Sequence, residues 1–482
     1  MGIKKSEGTH TMPDRDNQPE DFFYPAIRHS VLFRAERTGG YILTPYSQGV
    51  TDLGSVELNI AKLCNGQNTV AAIAAKIAHL EKWPETTARE TTWSTLRYFQ
   101  QIRALDWLME PAIKPYFPAI PSPSDEDEAI LGRALCAPLS ILWDITYACN
   151  LRCVHCLTGS GKPLPDELSS EEAAKILEQL LDAKVFSITF CGGEPLLSPY
   201  LFELINKATA RGMNINLDTN GSLVNVERAK KLAAAGVNLV QVSIDGREET
   251  HDLFRGKKGS FKAAVAAVQT FLSQGFGVNI SSVLTAVTHQ DLEYLVNLSI
   301  ELGVIGFKTS LFLPTGRGRE NAQKLMLHPE EVKKDYRKLL KLQEQYGSRL
   351  KIALEGAYPG LNDTNPVNVN TVDSGASSEV GCPAGVTQLV IAANGMVYAC
   401  PFLYEHPAGD LRKNSLIEIW RNAAIFKIFR RMTKGQLKGR CRICPNLPEK
   451  CHGGCRAAAY VFNGDIYAED PMCWCVSDSV SF

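Results

Sequence analysis

The sequence predicts an α/β protein. Its centre is a parallel sheet of six β-α units, a partial (β/α)6 barrel, with a small unit before it and a cysteine-rich region after it. Three observations predict this. Between residues 139 and 353, six apolar strand-like runs alternate with helical patterns. A stretch spaced by Pro115, Pro118, Pro121 and Pro123 then turns acidic at Asp125-Glu126-Asp127-Glu128, as a stiff and solvated linker does. Finally, three cysteines crowd one loop after the first strand and a second, larger set follows residue 381. At 482 residues the chain is long for one core and fits about two to four domains.

Residues 1–22 are polar and read as a disordered tail. Residues 23–114 form a unit of their own. A hairpin is expected from 29–35 and 41–44 through Thr38-Gly39-Gly40, followed by helices at 55–63, 70–79 and 87–102. Asn65-Gly66 ends the first helix and Thr69 caps the second. Such a layout is winged-helix-like. After the linker, residues 115–136, comes the core at 137–355. Its strands are expected at 139–147, 187–191, 214–218, 239–244, 278–284 and 306–312. Ser169 with Glu172 makes a capping box, and Ser198-Pro199 places proline at a first helical position. Residues 356–482 hold the second cysteine system.

A net charge of −1 and a pI near 6.8 give no electrostatic reason to expect nucleic acid or lipid as partner. Residues 1–20 lack the apolar core of a signal peptide, and no apolar run approaches the ~20 residues that span a bilayer. The expected location is the cytoplasm. There, 14 cysteines argue for metal or redox chemistry rather than disulfides.

In β/α barrels function collects in the loops after the strands. Four motifs fall there in succession. Cys149, Cys153 and Cys156 follow the first strand with the spacing Cys-x3-Cys-x2-Cys. Gly192-Gly193-Glu194-Pro195 follows the second, Asp218-Thr219-Asn220-Gly221 ends the third, and Ser243-Ile244-Asp245-Gly246 ends the fourth. Each tetrapeptide alone is a common turn. A closed iron–sulfur cube takes four cysteines, so three leave one iron open to a ligand that is not protein. Structural zinc sites are instead usually closed by four ligands.

This register resembles that of radical S-adenosylmethionine (SAM) enzymes, whose TIM-like core carries a three-cysteine 4Fe-4S cluster. The resemblance implies that the open iron chelates SAM, and that reductive cleavage yields a 5′-deoxyadenosyl radical. Cys149, Cys153 and Cys156 would ligate the cluster. Gly192, Gly193 and Glu194 would approach the SAM amino group, where absent side chains allow close contact and a carboxylate suits an ammonium. Asn220 and Ser243, with Asp245 beside them, would lie near the ribose. Arg255 matches a SAM-carboxylate arginine in related enzymes, and a guanidinium suits that partner. Arg317 is a lesser candidate of structural type.

The later cysteines are Cys382, Cys400, Cys441, Cys444, Cys451, Cys455, Cys473 and Cys475. The first seven resemble the SPASM domain, with one extra residue between Cys444 and Cys451. The resemblance assigns Cys382, Cys400 and Cys455 to a first auxiliary cluster and Cys441, Cys444, Cys451 and Cys473 to a second. It leaves the first cluster one ligand short, to be filled by Cys475, by a group other than cysteine, or not at all. A zinc ribbon is the competing reading of residues 441–455. Cys64, Cys136 and Cys191 fall outside both cysteine patterns and read as small buried residues, although Cys191 adjoins the Gly-Gly-Glu motif.

Residues 23–114, with Leu63-Cys64-Asn65-Gly66-Gln67-Asn68-Thr69-Val70, resemble the RiPP recognition element of the pyrroloquinoline quinone chaperone. That domain binds a leader peptide as an added strand. Together the parts resemble peptide maturases of the mycofactocin and pyrroloquinoline quinone type. The partners implied are a ribosomally made precursor peptide and an electron donor such as flavodoxin or ferredoxin. The expected chemistry is hydrogen abstraction followed by C–C or C–S closure or by decarboxylation. Two alternatives stay open: an enzyme modifying a haem-pathway porphyrin, suggested by Gly453-Gly454-Cys455-Arg456-Ala457, and a noncatalytic iron–sulfur sensor whose winged helix binds DNA.

Overall fold

The run Ser140–Thr146 sends Ile141, Trp143 and Ile145 into the interior on one face, as the two-residue period of a strand dictates. The same logic repeats along the chain. The computed structural model describes residues 22–28, 31–36, 39–44, 50–112, 131, 134–355, 380, 382–447 and 451–474. It divides the chain into two units, Met1–Glu128 and Ala129–Phe482. Residues 1–21 of the expected tail, most of the linker and Cys475 lie outside the described residues.

In the first unit the strands are β1 (Tyr24–Ile27), β2 (Leu32–Glu36), β3 (Gly39–Leu43), β4 (Thr51–Leu53) and β5 (Leu105–Leu108). β2, β3 and β4 form an antiparallel sheet in that order, and β1 pairs with β5. The expected hairpin is therefore present, shifted toward residue 36. The β4 strand and the β1–β5 pair are additions, too short to show a period in sequence. Helices Ser55–Leu63, Val70–Glu81 and Glu85–Gln101 follow, the second capped by Thr69 Oγ1 accepting from Ala72 N at 3.1 Å. Ile42, Ile60, Ile73, Leu96 and Phe99 are wholly buried between sheet and helices, each contributing roughly 1.5–3 kcal/mol.

The second unit is built on one sheet. Its strands are β6 (Ser140–Thr146), β7 (Ser187–Gly192), β8 (Asn214–Thr219), β9 (Val237–Ser243), β10 (Gly277–Leu284), β11 (Gly306–Leu311), β12 (Lys351–Glu355), β13 (Gln388–Ile391), β14 (Met396–Tyr398) and β15 (Gly409–Asp410). β6 to β12 run parallel in sequence order, and β13 joins β6 in parallel on the far side, carrying β14 and β15 antiparallel. The six expected strands are all present. The sheet is wider by β12 on one edge and by the C-terminal strands on the other. Lys351-Ile-Ala-Leu-Glu355 is short and rich in helix formers, so its own sequence does not announce a strand.

Ile141 lies opposite Ile188, Phe190 opposite Leu217, and Val242 opposite Ile280, so one apolar layer runs through the sheet. Ser169 and Glu172 form the capping box of helix Ser170–Asp182. Pro199 does not open a helix. Pro195–Leu197 is a single 3-10 turn, and the following helix starts at Leu201 with Tyr200 as its cap. Because β6 to β9 are parallel, their C-terminal ends place all four motif loops on one edge. No helix among the described residues is long and apolar enough to cross a membrane.

Candidate active site

The three-cysteine loop is held by its own backbone and by arginine. Cys149 N donates to Gly161 O at 3.0 Å, and Val154 N to Phe254 O at 3.0 Å. Arg317 donates to the carbonyls of Cys153, Gly159 and Ser160 at 2.8, 2.9 and 2.5 Å, which makes it a clamp on the loop, as its lesser ranking expected. His155 stacks on Phe254 with ring centroids 3.9 Å apart. Burial first, then nearby Arg255, holds its imidazole down to about 3, so it is neutral.

Cys149, Cys153 and Cys156 line one cavity of about 270 Å³, together with Gly192, Gly193, Asn220 and Ser243. Asn220 Nδ2 reaches to 4.0 Å from Cys149 Sγ, Thr158 Oγ1 to 3.6 Å from Cys156 Sγ, and Arg255 Nη1 to 3.8 Å from Cys153 Sγ. Burial, with the charges of Cys153, Glu194 and Cys156 adding, pushes the Cys149 thiol up to about 11. Iron loading must therefore displace protons, as thiolate ligation does in general. Among the described residues no three His, Cys, Asp or Glu side chains close on a single metal-ion position. The three thiols share a cavity wall instead. Three thiols and glycine backbone around one cavity fit a cluster that leaves a coordination position for SAM.

Three expected contacts take a different form. Glu194 is wholly buried, and its oxygens accept from Thr219 Oγ1 at 2.8 Å, Asn220 N at 2.9 Å and Leu196 N at 3.2 Å. Its carboxylate braces the third loop against the second and does not line the cavity. Asp245 is also wholly buried, accepting from Arg255 Nε at 2.6 Å and Val283 N at 3.0 Å, and it does not line the cavity. Arg255 does line the cavity, but its charge is already paired with Asp245. The glycines serve the chain first: a Cβ on Gly193 would lie 2.2 Å from Ala148 O, and Gly192 has φ +114°. Sequence reasoning missed Asp144, Pro401 and Phe402 in the same lining. A carboxylate inside the apolar run Ile-Leu-Trp-Asp-Ile was a signal for the first.

In the C-terminal segment, Cys400 feels the charges of Cys455 and Cys382, while Cys451 feels those of Cys441 and Cys444. Cys455 caps helix Arg456–Asn463, its Sγ accepting from Ala458 N at 3.4 Å. Cys473 follows the turn at Asp470, where its N donates to Asp470 O at 3.1 Å.

Residues 143–299 match the radical SAM superfamily, and residues 382–445 match the iron-sulfur cluster-binding SPASM domain. The AdoMet-dependent heme synthase of Methanosarcina barkeri is 32% identical over 345 residues, covering 70% of this chain and 96% of that protein. Mycofactocin maturase MftC of Mycobacterium tuberculosis is 34% identical over 354 residues, covering 71% and 84%. SuiB of Streptococcus suis, solved bound to precursor peptide SuiA, shares the fold with a TM-score of 0.67 at 17% identity, covering 92% of this chain and 98% of that one. The chain belongs to the radical SAM superfamily. It is an enzyme that uses SAM and a 4Fe-4S cluster, with auxiliary iron–sulfur binding in its SPASM domain.

Proposed function

We propose that this enzyme modifies a ribosomally made precursor peptide, closing a C–C or C–S bond or removing CO2 oxidatively. The observation that carries the reading is the N-terminal unit. Its three-stranded sheet has β2 and β4 as edges among the described residues. An edge strand offers unpaired N–H and C=O groups to an extended leader, which supports reading residues 23–114 as a recognition element. The heme synthase match covers 70% of this chain. The likeness to SuiB extends over 92% of this chain.

Cys149, Cys153 and Cys156 hold the SAM cluster. Gly192 and Gly193 offer backbone to the amino acid end of SAM, and Asn220 and Ser243 lie toward its ribose. Arg255 places positive charge beside Cys153, and Glu194 and Asp245 hold these groups in place. Cys382, Cys400 and Cys455 carry one auxiliary cluster, and Cys441, Cys444, Cys451 and Cys473 the other. When bound, cluster and SAM supply a carbon-centred radical able to take a hydrogen atom from an unactivated position. The chain's own task is to hold one substrate hydrogen near it and exclude water. A small flavodoxin or ferredoxin in the cytoplasm supplies the electron.

A porphyrin substrate is the second reading, favoured by the 32% identity to heme synthase. Anaerobic reconstitution with iron and sulfide, then mass spectrometry of a candidate short peptide, should one be encoded beside the gene, separates the two. A changed peptide mass supports the proposal. An unchanged peptide beside a decarboxylated porphyrin overturns it.

A further inference from the structure

We propose that Asp144 is the proton acceptor of the reaction, set in the wall between the cavity of the cysteine triad and a second cavity that seats the substrate. The proposal rests on the peptide reading above. Asp144 is 3% exposed and sits where the β6–β7 register slips between residues 144 and 146. Such bulges re-aim side chains, often beside active sites.

Its surroundings are unusual for a buried carboxylate. Oδ2 accepts from Tyr147 Oη at 3.1 Å and from Tyr404 Oη, while Oδ1 accepts from Cys191 Sγ at 3.2 Å. Every partner is a weak acid. Among the described residues, no lysine, arginine or histidine bonds to it. The groups facing it are Tyr147 beyond the end of β6, Cys191 on β7 with Asp218 of β8 behind it, and Tyr404 with Tyr398 edge-on at 4.7 Å. A buried carboxylate with no cation is costly to keep charged, which makes it a stronger base than an exposed one. Burial raises the Asp144 carboxyl above its ordinary range, opposed by hydrogen bonds from Tyr404, Cys191 and Tyr147.

The position is as informative as the chemistry. Asp144 and Cys191 line the first cavity with the cysteine triad. Their partners Tyr147 and Tyr404 line the second, of about 440 Å³, with Tyr398 and Tyr460. The two cavities share Leu157, Thr158 and Phe402. Asp144 thus lines the first cavity and is joined to the second through the hydroxyls of Tyr147 and Tyr404.

Bond closure needs such a group. After a hydrogen atom leaves the substrate carbon, the carbon radical meets an X–H group of the same peptide. The X–H bond breaks and the new C–X bond forms. The proton passes to Asp144, and the one surplus electron passes to an oxidised iron–sulfur cluster.

The test uses the full chain, reconstituted anaerobically, as wild type, Asp144→Asn, Asp144→Glu and Tyr404→Phe. Infrared difference spectra across neutral pH need no peptide. A buried carboxylic acid band should titrate in wild type, be absent in Asp144→Asn, and move to higher pH in Tyr404→Phe, which loses a hydrogen bond to the anion. With the short peptide encoded beside the gene, Asp144→Asn should keep forming 5′-deoxyadenosine while product formation falls by about 10²–10⁴-fold. Asp144→Glu should recover part of it. A purely structural role would not move a titration. No titrating band, or wild-type product rates with an unchanged pH profile in Asp144→Asn, overturns the proposal. If wild type leaves the peptide unmodified, the peptide reading fails and the infrared result alone decides the role of Asp144.

Discussion

Arg255 bridges Asp245 and Cys153: its Nε donates to Asp245 Oδ2 at 2.6 Å, and its Nη1 stands 3.8 Å from Cys153 Sγ. The pair is buried at the end of helix Glu248–Arg255, so the helix that follows β9 fixes charge next to the Cys153 thiol. Replacing Arg255 with Met strands the Asp245 charge in a wholly buried site. The expected loss is about 3–5 kcal/mol of unfolding free energy, the usual cost of breaking a buried pair. Denaturant melts of the apo protein check it, and a change under about 0.5 kcal/mol, the level of an ordinary surface substitution, would count against it.

The same pair sets a pH dependence. Burial opposes the Asp245 charge, but Arg255, His155 and His251 outweigh it and hold the carboxyl below its ordinary range. Its contribution is therefore present above the unfolded carboxyl value of about 3.9 and disappears as pH falls through the lower folded value. An acid melt of Asp245→Asn should lack that component; an acid limb identical to wild type would contradict the assignment.

Glu194 is expected to act without touching SAM. Glu194→Ala removes the acceptor of Thr219, Asn220 and Leu196 and leaves buried donors unpaired, each at roughly 1–3 kcal/mol. Stability should fall in the absence of SAM, and SAM affinity should fall with it because Asn220 shifts. Unchanged apo stability with weakened SAM binding would instead restore the direct ammonium contact.

The motif residues were legible in sequence because parallel strands repeat one local pattern, and each motif begins where a strand ends. What their side chains touch was not legible. The Arg255–Asp245 pair joins a helix end to a loop after β9, and the Glu194 contacts join two loops 25 and 26 residues apart. Neither has a period. Strand β12 escaped for a different reason: Lys351-Ile-Ala-Leu-Glu355 becomes a strand by pairing with β11, a tertiary effect that overrides its propensity. Phe402 enters the cavity only because β13 adds to β6, a pairing of residues 140–143 with 388–391.

The two cysteine systems should separate. Cys153→Ala should abolish SAM cleavage while iron and sulfide remain bound in the C-terminal domain. Cys400→Ala should lower iron content yet leave SAM cleavage measurable. Iron and sulfide analysis beside 5′-deoxyadenosine assays checks both, and complete iron loss in Cys153→Ala would contradict the separation.

Deleting residues 1–114 should weaken binding of the fluorescently labelled peptide encoded beside the gene, while SAM cleavage persists. Fluorescence anisotropy reads the first and 5′-deoxyadenosine the second. Equal affinity in full-length and truncated protein would sink the recognition role of the N-terminal unit.

The central claim is that the radical made beside Cys149, Cys153 and Cys156 is spent on a peptide. Mass spectrometry of that peptide, after incubation with the reconstituted enzyme, SAM and reductant, tests it most directly. A loss of two hydrogens, or of CO2 with hydrogens, is the predicted result. An unmodified peptide, with 5′-deoxyadenosine formed only when a porphyrin is added, would contradict it.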